Sequence, residues 1–172
     1  MKNYIILLFF ILLFSFPAIA EEADEKEIAA FHMMMTYCIP AVVAADDAAR
    51  LASENKAIEF PAEKAQLFSK EPARVFTTKE AMGNSVLITR DNGMCSVAIR
   101  ALDYNKFWEI ADGWFGSETP FKKISEEKGE NDSLTRTYQA DFKGNILVLV
   151  SARSEPLPTG MQGMISASRI KD

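Results

Sequence analysis

The residues best suited to chemistry stand close together near the N-terminal end of the chain. Met33, Met34 and Met35 follow the only histidine, His32, and Cys38 comes three residues after them. Thioether and thiolate sulfur atoms are ligands that Cu(I) prefers. Successive residues of a helix are about 100° apart, so only Met34, Met35 and Cys38 gather on one side. A copper-handling site at these three residues is therefore one alternative. Packing of the same residues in an apolar core is the interpretation that we favour.

Residues 1–20 have the composition of a secretory signal peptide. Lys2 supplies a positive charge, an apolar run extends from Tyr4 to Phe16, and Ala18-Ile19-Ala20 offers the small residues that a signal peptidase requires. As a helix, this run is too short for a bilayer core of about 30 Å. We therefore predict cleavage after Ala20 and export to the periplasm or beyond. Residues 21–172 then form a single domain that is not associated with a membrane.

The chain has two cysteines, Cys38 and Cys95. An even number of cysteines in an exported chain favours an intramolecular disulfide. We therefore predict a structural Cys38–Cys95 bridge. Such a bridge leaves no thiolate for copper or for nucleophilic attack.

Composition and charge exclude several classes of protein. The 172 residues are 48% apolar and 25% charged, which is ordinary for a globular domain and unlike disordered, collagen-like or disulfide-dense chains. The formal net charge is −5, and removal of Lys2 with the signal peptide would make it more negative. Nucleic acid and anionic membranes are poor partners for such a chain.

Helical spacing dominates the first half of the chain. We predict helices over 25–38, 44–55 and 61–69. In the first of them, Ile28, Phe31, Met35 and Cys38 form the apolar stripe, and Pro40 ends the helix. A later helix begins at the N-cap residue Asp103 and is the clearest amphipathic helix of the chain.

Alternating polarity dominates the second half. We predict strands over 86–90, 94–100, 134–142, 146–152 and 164–170, with Asp91-Asn92-Gly93 as a hairpin turn and 125–133 as a surface loop. Ile146 to Val150 is apolar at every position, which predicts a strand covered on both faces. The fold class is α+β: N-terminal helices and an antiparallel sheet of about four to six strands that carries the Asp103 helix.

The sequence offers little support for catalysis. It contains no G-x-S-x-G, H-E-x-x-H or phosphate-loop motif. Three carboxylates near the 103–118 segment, those of Glu109, Asp112 and Glu118, leave a small periplasmic hydrolase as an alternative. A solvated face opposite Phe107 and Trp114 explains the same carboxylates. We therefore favour a non-catalytic protein over the hydrolase alternative, which stays open, and we predict no cofactor and no metal.

The aromatic segment after Asp103 is the candidate contact surface. Trp108 is about 100° from Phe107 on a helix, so we expect it to be partly exposed. Exposed aromatic side chains often mark binding surfaces. We predict that the protein binds another macromolecule, a protein of the cell envelope, and the candidate contact residues are Tyr104, Trp108, Glu118 and Phe121.

Three arginines on predicted strands raise a further possibility. Arg136, Arg153 and Arg169 on neighbouring strands form a candidate anion site, because guanidinium groups bind carboxylate and phosphate in a bidentate way. Capping of the sheet rim by these side chains is the alternative.

The order of these features resembles that of small exported proteobacterial proteins of unknown function. The shared features are a signal peptide, an early helix with one cysteine, and a strand that begins Gly93-Met94-Cys95, followed by a helix, a polar loop and a hairpin with a glycine turn. The resemblance covers most of the mature chain. It implies export, but it assigns no catalytic or binding residue.

Overall fold

The computed structural model describes residues 21–116, 118–130, 132–142, 144–157 and 160–170. The predicted signal peptide, residues 1–20, lies outside these ranges. The helical elements are α1 (Glu21–Met33), a π-helical segment (Met34–Cys38), α2 (Ile39–Ala44), α3 (Ala48–Glu54), α4 (Ala62–Ala65) and α5 (Tyr104–Phe115). The strands are β1 (Ile58–Glu59), β2 (Arg74–Thr77), β3 (Ser85–Thr89), β4 (Cys95–Arg100), β5 (Lys122–Lys128), β6 (Leu134–Asp141), β7 (Asn145–Ala152) and β8 (Met161–Arg169).

The described strands form one antiparallel sheet in the order β1-β2-β3-β4-β8-β7-β6-β5. Strands β1 to β4 make a first meander, α5 follows, and β5 to β8 make a second meander whose last strand returns beside β4. The predicted α+β class is confirmed, but eight strands exceed the predicted four to six. One addition is β5, which replaces most of the surface loop predicted over 125–133. Its side chains are nearly all exposed, so it lacks the apolar alternation that identifies a strand.

Pro40 does not end the first helical run, contrary to expectation. Ile39 donates its N–H to the carbonyl of Met34, five residues earlier, so the helix widens into a π turn. Because Pro40 has no N–H, the Thr36 carbonyl has no α-helical donor, and the wider turn accommodates this loss. The chain then stays helical through α2 and stops where Ala45 adopts a left-handed conformation.

The buried stripe of α1 differs from the predicted one. Phe31 and Cys38 are buried as expected, whereas Ile28 is exposed and Met35 is only partly buried. Met34 takes the core position, and the stripe also includes the carboxylate residue Glu27, which is 1% exposed. Apolar spacing alone cannot identify a stripe that contains a buried glutamate.

Glu27 joins the two main helices. Its Oε1 accepts the backbone N–H of Asp103 at 2.8 Å, and the Asp103 side chain in turn accepts the N–H of Lys106 at 3.0 Å. Asp103 is therefore the N-cap of α5, as predicted. A carboxylate from α1 thus fixes the start of α5 and holds both helices on the same side of the sheet.

The predicted disulfide between Cys38 and Cys95 is confirmed. The two Cα atoms are 5.2 Å apart, and both residues are buried. The bridge connects the π-helical segment to the first residue of β4. It therefore fastens the N-terminal helices to the first meander, and it fits an oxidising compartment.

The sheet has a helical side and an outer side. On the helical side, Val97, Ile165 and Val150 lie side by side across β4, β8 and β7 in one buried core with Phe31 and Phe107. On the outer side, the first meander is covered by residues 60–73, which we call the cover segment. Its apolar residues pack against those of β2, β3 and β4, namely Phe60, Ala65, Phe68 and Ala73 against Val75, Val86, Ile88 and Ala98.

The outer side of the second meander is open. Leu149 on β7 is exposed there, as is Met164 on β8. The prediction that β7 is covered on both faces is therefore wrong: β7 is interior to the sheet, but among the described residues no helix covers its outer side. A strand that pairs with a neighbour on each side can therefore be rich in apolar residues although no layer of the protein covers its outer side.

One described stretch, Lys26–Ala44, is long and apolar enough to cross a membrane when judged by length and composition alone. More than half of it is buried in the fold. Its apolar character is therefore explained by packing on the helical side of the sheet.

Candidate binding groove

A groove of about 440 Å³ runs along the boundary between the covered and the open outer surface. One wall is formed by residues 66–70 of the cover segment, and the other is the connection from β7 to β8. We call it the boundary groove. Its apolar lining includes three exposed residues: Leu67 at 73%, Met164 at 44% and Leu157 at 40%.

A bulge in β8 shapes the floor of the boundary groove. Ile99 pairs with Gly163 but Arg100 pairs with Met161, so Gln162 is an extra residue on β8. The Gln162 side chain turns inward and donates to the carbonyls of Arg153 and Ser154, each at 3.1 Å. Bulges re-aim side chains at the point where they occur. Here the bulge fixes the β7–β8 connection and places Met161 on the groove side.

Cationic side chains surround the boundary groove. Lys70 and Arg153 are part of its lining, which contains no carboxylate among the described residues. Arg100 lies beside it, because Arg100 pairs in register with the lining residue Met161, and its guanidinium is close to Gly160. Gly160 has φ +81, so a larger residue would be strained there and would also displace the Arg100 guanidinium.

The open surface beyond the boundary groove carries many hydroxyl groups. Thr135 and Ser151 form a hydrogen bond of 3.0 Å across β6 and β7, and Ser96 and Ser166 form one of 2.9 Å across β4 and β8. Cross-strand pairs of this kind satisfy one another without a covering layer. These hydroxyl pairs make the open surface compatible with water.

The aromatic contact surface predicted after Asp103 is not an exposed surface. Trp108 is 7% exposed and Phe121 is 4% exposed, so the expected exposure of Trp108 is wrong. Trp108 contacts the rings of Phe107 and Tyr104, and Phe121 contacts that of Phe115. Tyr104 is half-buried and Glu118 is exposed. Trp108 and Phe121 thus contribute mainly to the core.

Arg136 is the reason why Trp108 is buried. The Arg136 guanidinium lies over the Trp108 ring, 4.5 Å from its centroid, and donates to Asp112 at 2.7 Å and Glu126 at 2.8 Å. A cation over an indole ring is a favourable contact when partly desolvated. Helical spacing of apolar residues cannot reveal that a strand arginine from another part of the chain covers this ring.

The three arginines of the proposed anion site do not meet. Arg136 lies on the helical side beneath α5 and is neutralised by two carboxylates. Arg169 pairs in register with Ile146 at the start of β7, whereas Arg153 follows the end of that strand. Seven residues of strand separate those levels, which is about 23 Å at 3.3 Å per residue. Of the three, only Arg153 lines the boundary groove.

The residues of the copper alternative are separated by the disulfide and by burial. The Cys38 sulfur is bonded to Cys95, so it provides no thiolate ligand. Met34 is fully buried in the core, and Met35 packs against its edge. Among the described residues, no group of three or more His, Cys, Asp and Glu side chains is arranged to hold a metal ion.

The carboxylates of the hydrolase alternative point in different directions. Asp112 is bonded to Arg136, and Glu109 lies 4.0 Å from the Lys106 ammonium on the outer surface of α5. Glu118 is exposed beyond the end of that helix. General acid and base groups must both reach a common reacting atom. The engagement of Asp112 and Glu109 with different cations gives no such arrangement.

A second groove, of about 570 Å³, lies beside the π turn and contains His32, Tyr37 and Glu80. Burial raises the pKa of the Tyr37 hydroxyl, and the negative charge of Glu80 raises it further. Hydrogen bonds from its own backbone N–H and from the Thr78 hydroxyl lower the pKa of Glu80. The charged carboxylate and neutral phenol are therefore the stable forms near neutral pH. The His32 ring contacts the Trp114 ring edge-on, with the ring centroids 5.7 Å apart.

The residues of the boundary groove gave only faint signals in the sequence. Met164 alternates with Ser166 and Ser168 on β8, so one apolar side chain interrupts an otherwise polar face. Leu67 belongs to the predicted 61–69 helix, of which the structure retains only α4 as an α-helix. The position of the groove depends on contacts between residues about ninety apart in the chain, which spacing along the sequence does not reveal.

Comparison of the chain with protein-family models, with curated proteins and with solved structures finds no match.

Proposed function

We propose that this chain is an exported, non-catalytic protein that binds another protein of the cell envelope through the boundary groove. One observation carries the proposal: Leu67 and Met164, exposed at 73% and 44%, line a concave surface where the cover segment meets the open sheet. Apolar side chains that are exposed together in a groove, rather than singly, mark interaction sites. The resemblance to small exported proteobacterial proteins is consistent with this proposal.

A protein partner suits the surface better than nucleic acid or a membrane. The chain has a net charge of −5, so long-range electrostatics oppose an extended polyanion such as nucleic acid or an anionic bilayer, which would face the whole surface and not the groove alone. The groove is concave, whereas attachment to a bilayer requires apolar residues that protrude from the surface. A partner can insert side chains into such a groove and leave the polar rim solvated.

The free edge of β5 is a weaker candidate for partner binding. Its exposed side chains include Lys122, Glu127 and Lys128. Charged residues on edge strands discourage pairing with a strand of another chain. We therefore place the contact on the boundary groove and not on the sheet edge.

The hydrolase alternative has less support than binding. Asp112 is engaged by Arg136 and Glu109 lies near Lys106, so neither supports a shared acid–base centre. The second groove does combine His32, Tyr37 and Glu80. No nucleophile activated by an adjacent base is evident among the described residues of that groove.

Export and oxidation are tested by the intact mass of the protein from cells that carry out secretion. We expect a mature chain that begins at Glu21 and has no thiol that reacts with an alkylating agent until it is reduced. Retention of residues 1–20, or two reactive thiols in the native protein, would contradict the proposed export or the oxidised state.

Binding is tested by affinity purification after chemical cross-linking in the cell envelope. The double variant Leu67→Ser/Met164→Ser should lose a partner that the wild-type protein retains. Met82→Ser is the matched control, because Met82 is 54% exposed and lies outside the groove lining. A partner retained equally by all three proteins would show that the boundary groove is not the contact.

A further inference from the structure

We infer that the boundary groove accepts a polypeptide segment that carries both acidic and apolar side chains. This inference rests on the proposed function and adds the chemistry of the partner.

The charges around the groove are of one sign. Lys70 and Arg153 line it and Arg100 lies beside it, while no carboxylate is present in its described lining. The carboxylates nearest in sequence are those of Glu71 and Glu155, and Glu71 lies 3.5 Å from Arg90, which is not in the lining. In a chain with a net charge of −5, a groove with only cationic charges departs from the rest of the surface.

These cations lack carboxylate partners within the described chain. Arginines elsewhere are engaged: Arg74 binds Glu59, Arg136 binds Asp112 and Glu126, and Arg50 binds Asp46 and Glu54. By contrast, Lys70, Arg100 and Arg153 form no ion pair with any residue that the structure describes. Positive groups that are held around an apolar groove are complementary to carboxylates on a ligand.

The covered first meander indicates which side chains of a partner would pack in the boundary groove. There the cover segment places Phe60 and Phe68, with ring centroids 5.8 Å apart, against Ile88 and Ala98. Ile88 and Ala98 are also part of the groove lining, so the groove continues the surface on which these rings pack. Aromatic or large aliphatic side chains from a partner segment would extend the same layer over Met161 and Met164.

Selection of short random peptides on the immobilised full mature protein tests the inference. We expect the peptides retained by the wild-type protein to be enriched both in Asp or Glu and in large apolar residues. The variant Lys70→Glu/Arg153→Glu should bind those peptides at least about tenfold more weakly and should select basic peptides instead. Binding to the wild-type protein should also weaken as salt is added, because the cations lie at the rim.

A variant of equal charge provides the control. Lys122→Glu/Lys128→Glu changes the net charge by the same amount on strand β5, outside the described lining of the groove, and it should leave the selected peptides bound. Equal losses in the two charge-reversed variants would overturn the inference, because the effect would then be one of overall charge. Each variant should unfold at the wild-type temperature, which excludes misfolding as the cause of lost binding.

The remaining outcomes separate this inference from the proposed function. Peptides that need Leu67 and Met164 but show no acidic enrichment would overturn the partner chemistry and leave the groove as a binding site. The absence of any groove-dependent peptide would overturn the inference, and the envelope cross-linking experiment would then decide the proposed function alone. Cation-dependent binding to vesicles of neutral and anionic phospholipid, without peptide binding, would show that the cations serve a membrane surface.

Discussion

The two meanders of the sheet have matching topologies but different outer surfaces. Each meander consists of four antiparallel strands, and its last strand, β4 or β8, lies in the middle of the sheet. Helices cover the same side of both meanders. The outer side of the first meander is buried beneath the cover segment, whereas that of the second is open. The difference is visible within one row of the sheet, in which Ile88, Ser96, Ser166 and Leu149 are neighbours in register.

This comparison shows that strand position and strand coverage are separate properties. β3 and β7 each have neighbours on both sides in the sheet and both are rich in apolar residues. Only β3 is buried on both faces, because the chain supplies a covering segment there. The boundary groove exists because the cover segment stops where the open surface begins.

The disulfide should have the largest effect on stability, because it attaches the helical layer to the first meander. The bridge closes a loop of 57 residues, for which the chain-entropy model gives about 4 kcal/mol. We expect Cys38→Ala/Cys95→Ala to lower the free energy of unfolding by about this amount in urea denaturation. Reduced wild-type protein is the control and should behave similarly. A loss below about 1 kcal/mol would contradict the anchoring role.

Truncation of Ile88 and Leu149 tests the difference in coverage directly. Ile88→Ala should lower the free energy of unfolding by about 2–4 kcal/mol, because it leaves a cavity beneath the cover segment. Leu149→Ala, in the same row, should cost less than about 1 kcal/mol because its side chain is exposed. Urea denaturation of both variants provides the measurement. Equal costs would show that the second meander is also covered in solution.

Glu27 should contribute less to the free energy of unfolding than the apolar core. Its hydrogen bond to Asp103 joins α1 to α5, the two main helices on the helical side of the sheet. Its truncation to Ala removes the acceptor of the Asp103 N–H and leaves a cavity at the buried position of Glu27, and we expect a loss of about 1–3 kcal/mol by thermal or urea unfolding. Glu27→Gln retains an acceptor oxygen and should stay within about 1 kcal/mol of wild type. If the two variants were equally destabilised, the hydrogen bond to Asp103 would not be the source of the stability that Glu27 contributes.

The smallest expected effect concerns the charged edge of the second meander. Hydrogen bonds from Lys123 and Arg136 lower the pKa of Glu126. A lowered folded-state pKa adds stability above the ordinary carboxyl pKa of about 4.3, and this stability is lost as the pH falls through the lowered value. Glu126→Gln should therefore reduce Tm slightly at neutral pH, and the two Tm values should converge in acid.

Glu127→Gln is the control for that pH series, because Glu127 forms no ion pair with a described residue. Its Tm should follow that of the wild-type protein throughout. A difference between wild type and Glu126→Gln that persists unchanged into acid would mean that the Glu126 charge is not its source.

Local signals in the sequence predicted much of the fold. The Asp91-Asn92-Gly93 turn, the capping residue Asp103 and the alternation over 134–142 each depend on neighbouring residues, and the corresponding elements are present. The paired cysteines also predicted the disulfide. The predictions that were wrong concern elements whose structure depends on residues that are distant in the sequence or on the way the helix accommodates a proline. Pro40 is accommodated by a π turn, and β5 is held by pairing with β6 although its own side chains are exposed.

The candidate site was less predictable than the fold. Trp108 seemed available for binding because its helical position lies beside the apolar stripe, but Arg136 from β6 covers its ring. Conversely, the sequence does not predict that Leu67 and Met164 lie together, because each stands in a separate element. Their juxtaposition depends on the bulge at Gln162 and on the end of the cover segment, which only the three-dimensional arrangement reveals.

Photo-crosslinking in intact cells tests whether the boundary groove binds an envelope protein. A photoreactive amino acid in place of Leu67 should give a discrete adduct of higher mass on irradiation, whereas the same group in place of Met82 should give none. This result would place the partner on the groove. If position 67 gave no adduct, or both positions gave the same adduct, the boundary groove would not be the contact with the partner.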